Sequence, residues 1–135
     1  MNPSTANWLE KAGEDLAVLQ AIPIEANLTS GIAFHAQQCV EKSLKAVLCE
    51  KAQNIPRSHD LVFLYNLVRN LEPNWGLDGS ILIELSTLYI ESRYPGAFGM
   101  LPSGRPTVSD AQRFRFFAER VLQETDRFID RGKAG

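Results

Sequence analysis

Only two of the 135 residues are cysteine and only two are histidine. Two cysteines are too few for a disulfide framework or for a cysteine-built zinc site. Were Cys39 and Cys49 on one helix, a rise of 1.5 Å per residue would set them about 15 Å apart, beyond disulfide reach. They read as free thiols in a reducing compartment. No uncharged apolar run reaches the 18 residues of a membrane span, and Met1 to Leu9 lacks a basic stretch followed by an apolar one. Neither membrane spanning nor export is expected, and a cytoplasmic location is. An excess of charge of one sign is missing too: 14 Lys and Arg face 16 Asp and Glu, for a net charge of −2. That balance excludes a general DNA-coating protein and leaves room for a local basic patch. There is no Gly-x-Ser-x-Gly, no Gly-rich loop ending in Gly-Lys-Ser/Thr and no Gly-x-Gly-x-x-Gly, so the common nucleophile and phosphate-loop signatures are absent. Strand-period alternation, internal repeats and low-complexity runs are absent as well.

What is present is helical periodicity over nearly the whole chain. Trp8, Ala12, Leu16 and Leu19 recur at helical spacing, with Thr5 or Asn7 as candidate caps and Pro23 as the stop. Residues 30 to 51 form the longest uninterrupted stretch. At 100° per residue, Ala33, Ala36, Gln37, Val40, Leu44, Val47 and Leu48 make one stripe, with His35, Gln38, Lys42 and Ala46 opposite. Glu41 and Lys45 form a favourable i,i+4 pair. A third helix is expected from near Ser58 with Asp60 in its first turn and Pro73 as its end, a fourth from near Ser80, and a fifth over roughly 108 to 130. Between the last two, residues 94–106 hold three Gly and three Pro, which forbid regular structure; a loop of this length in a compact bundle invites a functional reading. A chain of this size buries about two-thirds of its unfolded surface. The expectation is one domain over residues 1–135, an all-α, up-and-down bundle of about five helices.

The residues able to carry chemistry are few. His35 lies on the polar face of the second helix with Gln38 and Lys42, while His59 stands in Pro56-Arg57-Ser58-His59-Asp60 at the start of the third. Each reads either as a surface, interface or capping residue or as an acid–base group. No His/Cys/Asp/Glu cluster has metal-ligand spacing, so no metal and no cofactor is expected. Arg93 closes the fourth helix beside Tyr94 and Pro95. A guanidinium there can answer the helix's last carbonyls, or it can grip a phosphate while Tyr94 stacks on a base. Arg113, Arg120 and Arg127 recur at heptad spacing but are diluted by Glu119, Glu124, Asp126 and Asp130, as in a solvated face.

Trp8-Leu9-Glu10-Lys11-Ala12 with Glu14-Asp15-Leu16, then Ala33-Phe34-His35-Ala36-Gln37-Gln38-Cys39-Val40-Glu41-Lys42-Ser43-Leu44-Lys45-Ala46, resemble the first two helices of a HEPN domain. Pro56-Arg57-Ser58-His59-Asp60-Leu61 and Ser92-Arg93-Tyr94-Pro95 match its next landmarks in order. The resemblance implies a small cytoplasmic, homodimerising protein, often paired with a minimal nucleotidyltransferase in toxin–antitoxin or defence systems. It also implies nucleotide or RNA binding, with Arg93, Tyr94, His35, Gln38 and Lys42 lining the surface. Many members are metal-independent ribonucleases that use an Arg and a His separated by four to six residues. Here the required positions hold Phe98, Gly99 and Met100. The expectation is therefore a non-catalytic binding or partner module, against the alternatives of a ribonuclease built on His35 or His59 and of a purely structural homodimer.

Overall fold

A computed structural model describes residues 1–93 and 104–134, and the side chains of 1–91 and 104–129. Among the described residues five α-helices run in chain order: α1 (Pro3–Ala21), α2 (Thr29–Glu50), α3 (Leu61–Leu71), α4 (Gly79–Arg93) and α5 (Val108–Ala134), with a 3-10 turn at Ala26–Leu28. No strand occurs among the described residues, which agrees with the all-α expectation. None of their helices is long and apolar enough to cross a membrane. Residues 94–103 of the expected irregular loop lie outside the described residues.

The helix ends are set by side chains that answer the first free N–H groups. Neither Thr5 nor Asn7 caps α1. The helix starts earlier, at Pro3, where Asn2 Oδ1 accepts from the Ser4 N–H at 2.8 Å. Thr5 is buried instead and donates its hydroxyl to Glu50 Oε1 at 3.1 Å, tying the start of α1 to the end of α2. Likewise α3 begins at Leu61 rather than near Ser58, because Asp60 is the cap and accepts from Val62 and Phe63 at 3.0 and 3.3 Å. The remaining Leu61 N–H donates to Ser86 Oγ on α4 at 2.8 Å. At α5, Thr107 and Asp110 each accept from the other's backbone N–H at 3.0 Å, a reciprocal cap.

α2 is the axis of the bundle. It packs most extensively on α1 and α5 and also meets α3 and α4. Between Cys39 and Cys49 every residue except Lys42 is buried. Ala46, expected on the outward side, has no exposed surface, because α2 is covered on several sides at once and has no single dry stripe. The Glu41–Lys45 pair is buried for the same reason. Leu19, Ile32, Leu44, Leu48, Leu61, Leu64, Leu82, Leu85 and Phe114 fill the core around it. Trp75, between α3 and α4, closes one part of that core: its ring lies 4.8 Å from Phe128 and its Nε1 donates to Glu124 at 3.0 Å. The Tyr65 hydroxyl donates to the Trp75 carbonyl and accepts from the Leu77 N–H.

Cys39 faces α5 with no exposed surface, and burial pushes its thiol up from the ordinary 9.0 to about 12. The unfolded chain loses this proton near pH 9 and the folded chain holds it until about pH 12. Stability from this group is thus complete below pH 9 and is lost as pH rises through that window. Native protein at pH 8 is expected to leave Cys39 unlabelled by iodoacetamide, with labelling appearing only in denaturant. Mass spectrometry of the tryptic peptides checks this.

Candidate functional site

The polar residues of α2 are drawn into two linked clusters. The first forms where α1 runs back along α2, placing Asp15 between two positions of α2 that lie two turns apart. Asp15 Oδ1 meets His35 Nδ1 at 3.0 Å, and Oδ2 meets Lys42 Nζ at 2.5 Å. One largely buried carboxylate thus holds both side chains.

The second cluster surrounds Glu41, whose side chain is 5% exposed. Its Oε1 receives His59 Nδ1 at 2.9 Å and Gln37 Nε2 at 3.2 Å, and its Oε2 receives Lys45 Nζ at 3.1 Å. Lys45 also lies 5.6 Å from the centre of the Trp8 ring, a cation–π contact from α1. Gln37 Nε2 donates a second bond, at 3.0 Å, to the backbone carbonyl of His59. His59 is therefore fixed through both its ring and its main chain, although half of its side chain (51%) faces solvent. Gln38 joins this cluster from outside by donating to Gln37 Oε1 at 2.7 Å.

Two rings, Phe34 and Tyr89, connect the two histidines across α2, α4 and the approach to α3. Phe34 meets His35 edge-on at 5.2 Å and lies nearly parallel to Tyr89 at 6.2 Å, and Tyr89 lies 5.1 Å from His59. The end of α4 is thereby set beside α2, and the backbone of Arg93 follows one helical turn after Tyr89. Of the five residues expected at the surface, His35, Gln38 and Lys42 share one face of α2. The Arg93 side chain and all of Tyr94 lie outside the described residues. Asp15, Phe34 and Tyr89 were not expected here, and Glu41 was expected only as the partner of Lys45; Asp15 holds His35 and Lys42, Phe34 meets His35, and Glu41 and Tyr89 meet His59.

Chemically, the arrangement offers two imidazoles, each engaged at Nδ1 by a carboxylate. Nε2 is the nitrogen left to each for an outside group. A carboxylate-held imidazole is an oriented hydrogen-bonding group. Among the described residues, no set of three or more His, Cys, Asp or Glu is placed to hold a metal ion. On α5, Arg113 reaches Glu84 at 3.2 and 3.3 Å and Asp110 at 2.7 Å; that hydrogen bond and the one from Thr107 lower the Asp110 pKa. Arg120 reaches Glu124 at 3.4 Å, so these two members of the heptad series form an ion-paired surface, as expected. A hollow of about 600 Å³ between α5 and the start of α4 is lined by Leu77, Ile81, Phe116, Phe117 and Val121, and none of the α2 polar residues enters it.

This is a helical bundle whose central helix carries a polar, ring-flanked face. The HEPN domain profile matches residues 5–128, and the chain belongs to that family. The crystal structure of an archaeal HEPN homologue is similar in fold, with a TM-score of 0.61 and 24% identity over 93% of this chain and 97% of that one. No curated protein matches the chain.

The Glu41 cluster generates a stability prediction. Glu41→Ala leaves Lys45 buried without its partner and frees His59 and Gln37, and is expected to cost about 3–5 kcal/mol. Glu14→Ala, at an exposed position one turn from Lys11, is expected to stay within about 0.5 kcal/mol of wild type. Urea unfolding followed by circular dichroism measures both.

Proposed function

We propose that this protein is a single-domain HEPN module that binds a nucleotide or a short RNA segment on the face shared by α2 and the end of α4, and that it does not cleave what it binds. Arg93 and Lys42 are its phosphate-facing residues, Tyr94 its stacking residue, and His35 and Gln38 its hydrogen-bonding residues. The observation that carries this reading is the ring contact between Phe34 on α2 and Tyr89 on α4. It draws the end of α4, where Arg93 stands, to the helix that bears His35, Gln38 and Lys42. An exposed ring, here that of Phe34, beside cationic and imidazole groups is what single-stranded nucleic acid and free nucleotides use. Binding without cleavage follows from positions 98–100, where Phe, Gly and Met stand in place of the family's motif histidine. The same reading makes the protein a cytoplasmic homodimer that serves as partner to a nucleotidyltransferase, in a toxin–antitoxin or defence-type pair.

One observation favours a second reading, a metal-independent ribonuclease with a non-standard base. His59 is half exposed and held at Nδ1 by the buried Glu41, the relation of a general base to its orienting carboxylate. RNA cleavage by pure protein that disappears in His59→Asn would replace the first reading with this one.

The test of binding is a thermal-shift panel of purine and pyrimidine nucleotides and short RNA on wild type and Arg93→Ala. Ligand at ten times its dissociation constant adds about 1.4 kcal/mol, which raises the midpoint by roughly 4–6 °C at this chain length. The expected result is a shift with at least one probe that vanishes in Arg93→Ala. An unchanged midpoint with every probe would contradict nucleotide binding and leave the protein-partner role.

A further inference from the structure

In the structure each of the three α2 residues assigned to the ligand already has a partner within the protein. Lys42 and His35 are taken one on each oxygen of Asp15, and Gln38 is turned to Gln37. A carboxylate with one donor on each oxygen has the arrangement in which two such donors would receive a phosphate. The Asp15 side chain is only 12% exposed, so salt screens this pair less than it would a pair in open water. With His35 neutral, Lys42 and Asp15 also cancel, and this stretch of the surface presents no net charge to an approaching anion.

We propose that Asp15 is an internal counter-anion that withholds Lys42 and His35 from phosphate, so that this part of the surface stays closed to anions until the Asp15 carboxylate is displaced or neutralised. This rests on the nucleotide- or RNA-binding reading given above and adds its regulation. Asp15 contributes no attraction to the ligand. It sets how much of the available positive charge the ligand meets. Wild-type protein therefore binds mainly through the other residues of the proposed surface, and Lys42 takes up the phosphate-facing role proposed for it only once Asp15 is gone.

The experiment is fluorescence anisotropy with a labelled single-stranded RNA of about ten nucleotides, titrated at several salt concentrations. The proteins are wild type, Asp15→Asn, Glu14→Gln, Lys42→Ala and the Asp15→Asn/Lys42→Ala double variant. Asp15→Ser is run alongside, so that the comparison does not hang on one variant's folding. Asp15→Asn is expected to bind about tenfold tighter. Its plot of log affinity against log salt should be steeper by about 0.7, the slope of one further phosphate neutralised on a single strand. Glu14→Gln removes the same charge from the neighbouring exposed position and should leave that slope unchanged. Lys42→Ala should matter little in wild type and should abolish the gain in Asp15→Asn. Equal effects of Asp15→Asn and Glu14→Gln, or a gain that survives Lys42→Ala, would overturn the proposal. RNA bound equally by wild type and both Asp15 variants would sink the role of Asp15 alone, whereas RNA bound by none of them would sink the binding reading with it.

Discussion

Glu41 carries its charge into the interior of the bundle, on a helix covered by four others, and the free-energy cost of that burial dictates what surrounds it. A carboxylate so placed must have its oxygens answered, and Lys45, Gln37 and His59 answer them. Each answer has a consequence further out. Lys45 is pinned over Trp8 of α1, Gln37 is fixed and in turn receives Gln38, and His59 is drawn down onto α2, which locks the chain just before α3 begins. Tyr89 of α4 then meets the His59 ring. The positions of α1, α3 and α4 relative to α2 are thus coupled through one buried side chain. The aliphatic core supplies most of the burial; the polar cluster selects how the helices sit.

This coupling gives the outer face of α2 its character. Side chains that a surface helix would leave mobile are held by carboxylates and amides, and the exposed edges of Phe34 and His59 stand beside them. An ordered polar face flanked by rings suits recognition, because less conformational entropy remains to be lost on binding. Nothing comparable lines the apolar hollow beside Phe116 and Val121, where Arg113 and Arg120 at the rim are engaged by their own carboxylate neighbours. The HEPN family assignment and the chemistry therefore direct attention to the same part of the molecule, the meeting of α2 with the end of α4.

Much of the fold was legible in the residues. Apolar spacing located all five helices, and the absence of period-two alternation excluded strands. The boundaries moved where a cap outcompeted a neighbour: Asn2 over Thr5, and Asp60 over Ser58. Local pattern could show that Glu41 and Lys45 lie one turn apart, but not that Trp8 of α1 and His59 would be brought against them and the pair buried. Ala46 was misplaced for the same reason. Asp15 sits 20 and 27 positions before its partners, and only the return of α1 along α2 brings them together. The grouping of His35, Gln38 and Lys42 was visible from spacing. The carboxylates and rings that hold them were not, because those contacts are tertiary.

The most direct measurement is a two-dimensional ¹H–¹⁵N NMR titration of the labelled protein with adenosine and uridine monophosphates and with a short single-stranded RNA. If the face built around α2 is the binding surface, amide shifts will concentrate at residues 34–42, 58–61 and 86–93. Shifts confined to the hollow around Leu77, Ile81, Phe116 and Val121, or absent with all three ligands, would contradict it.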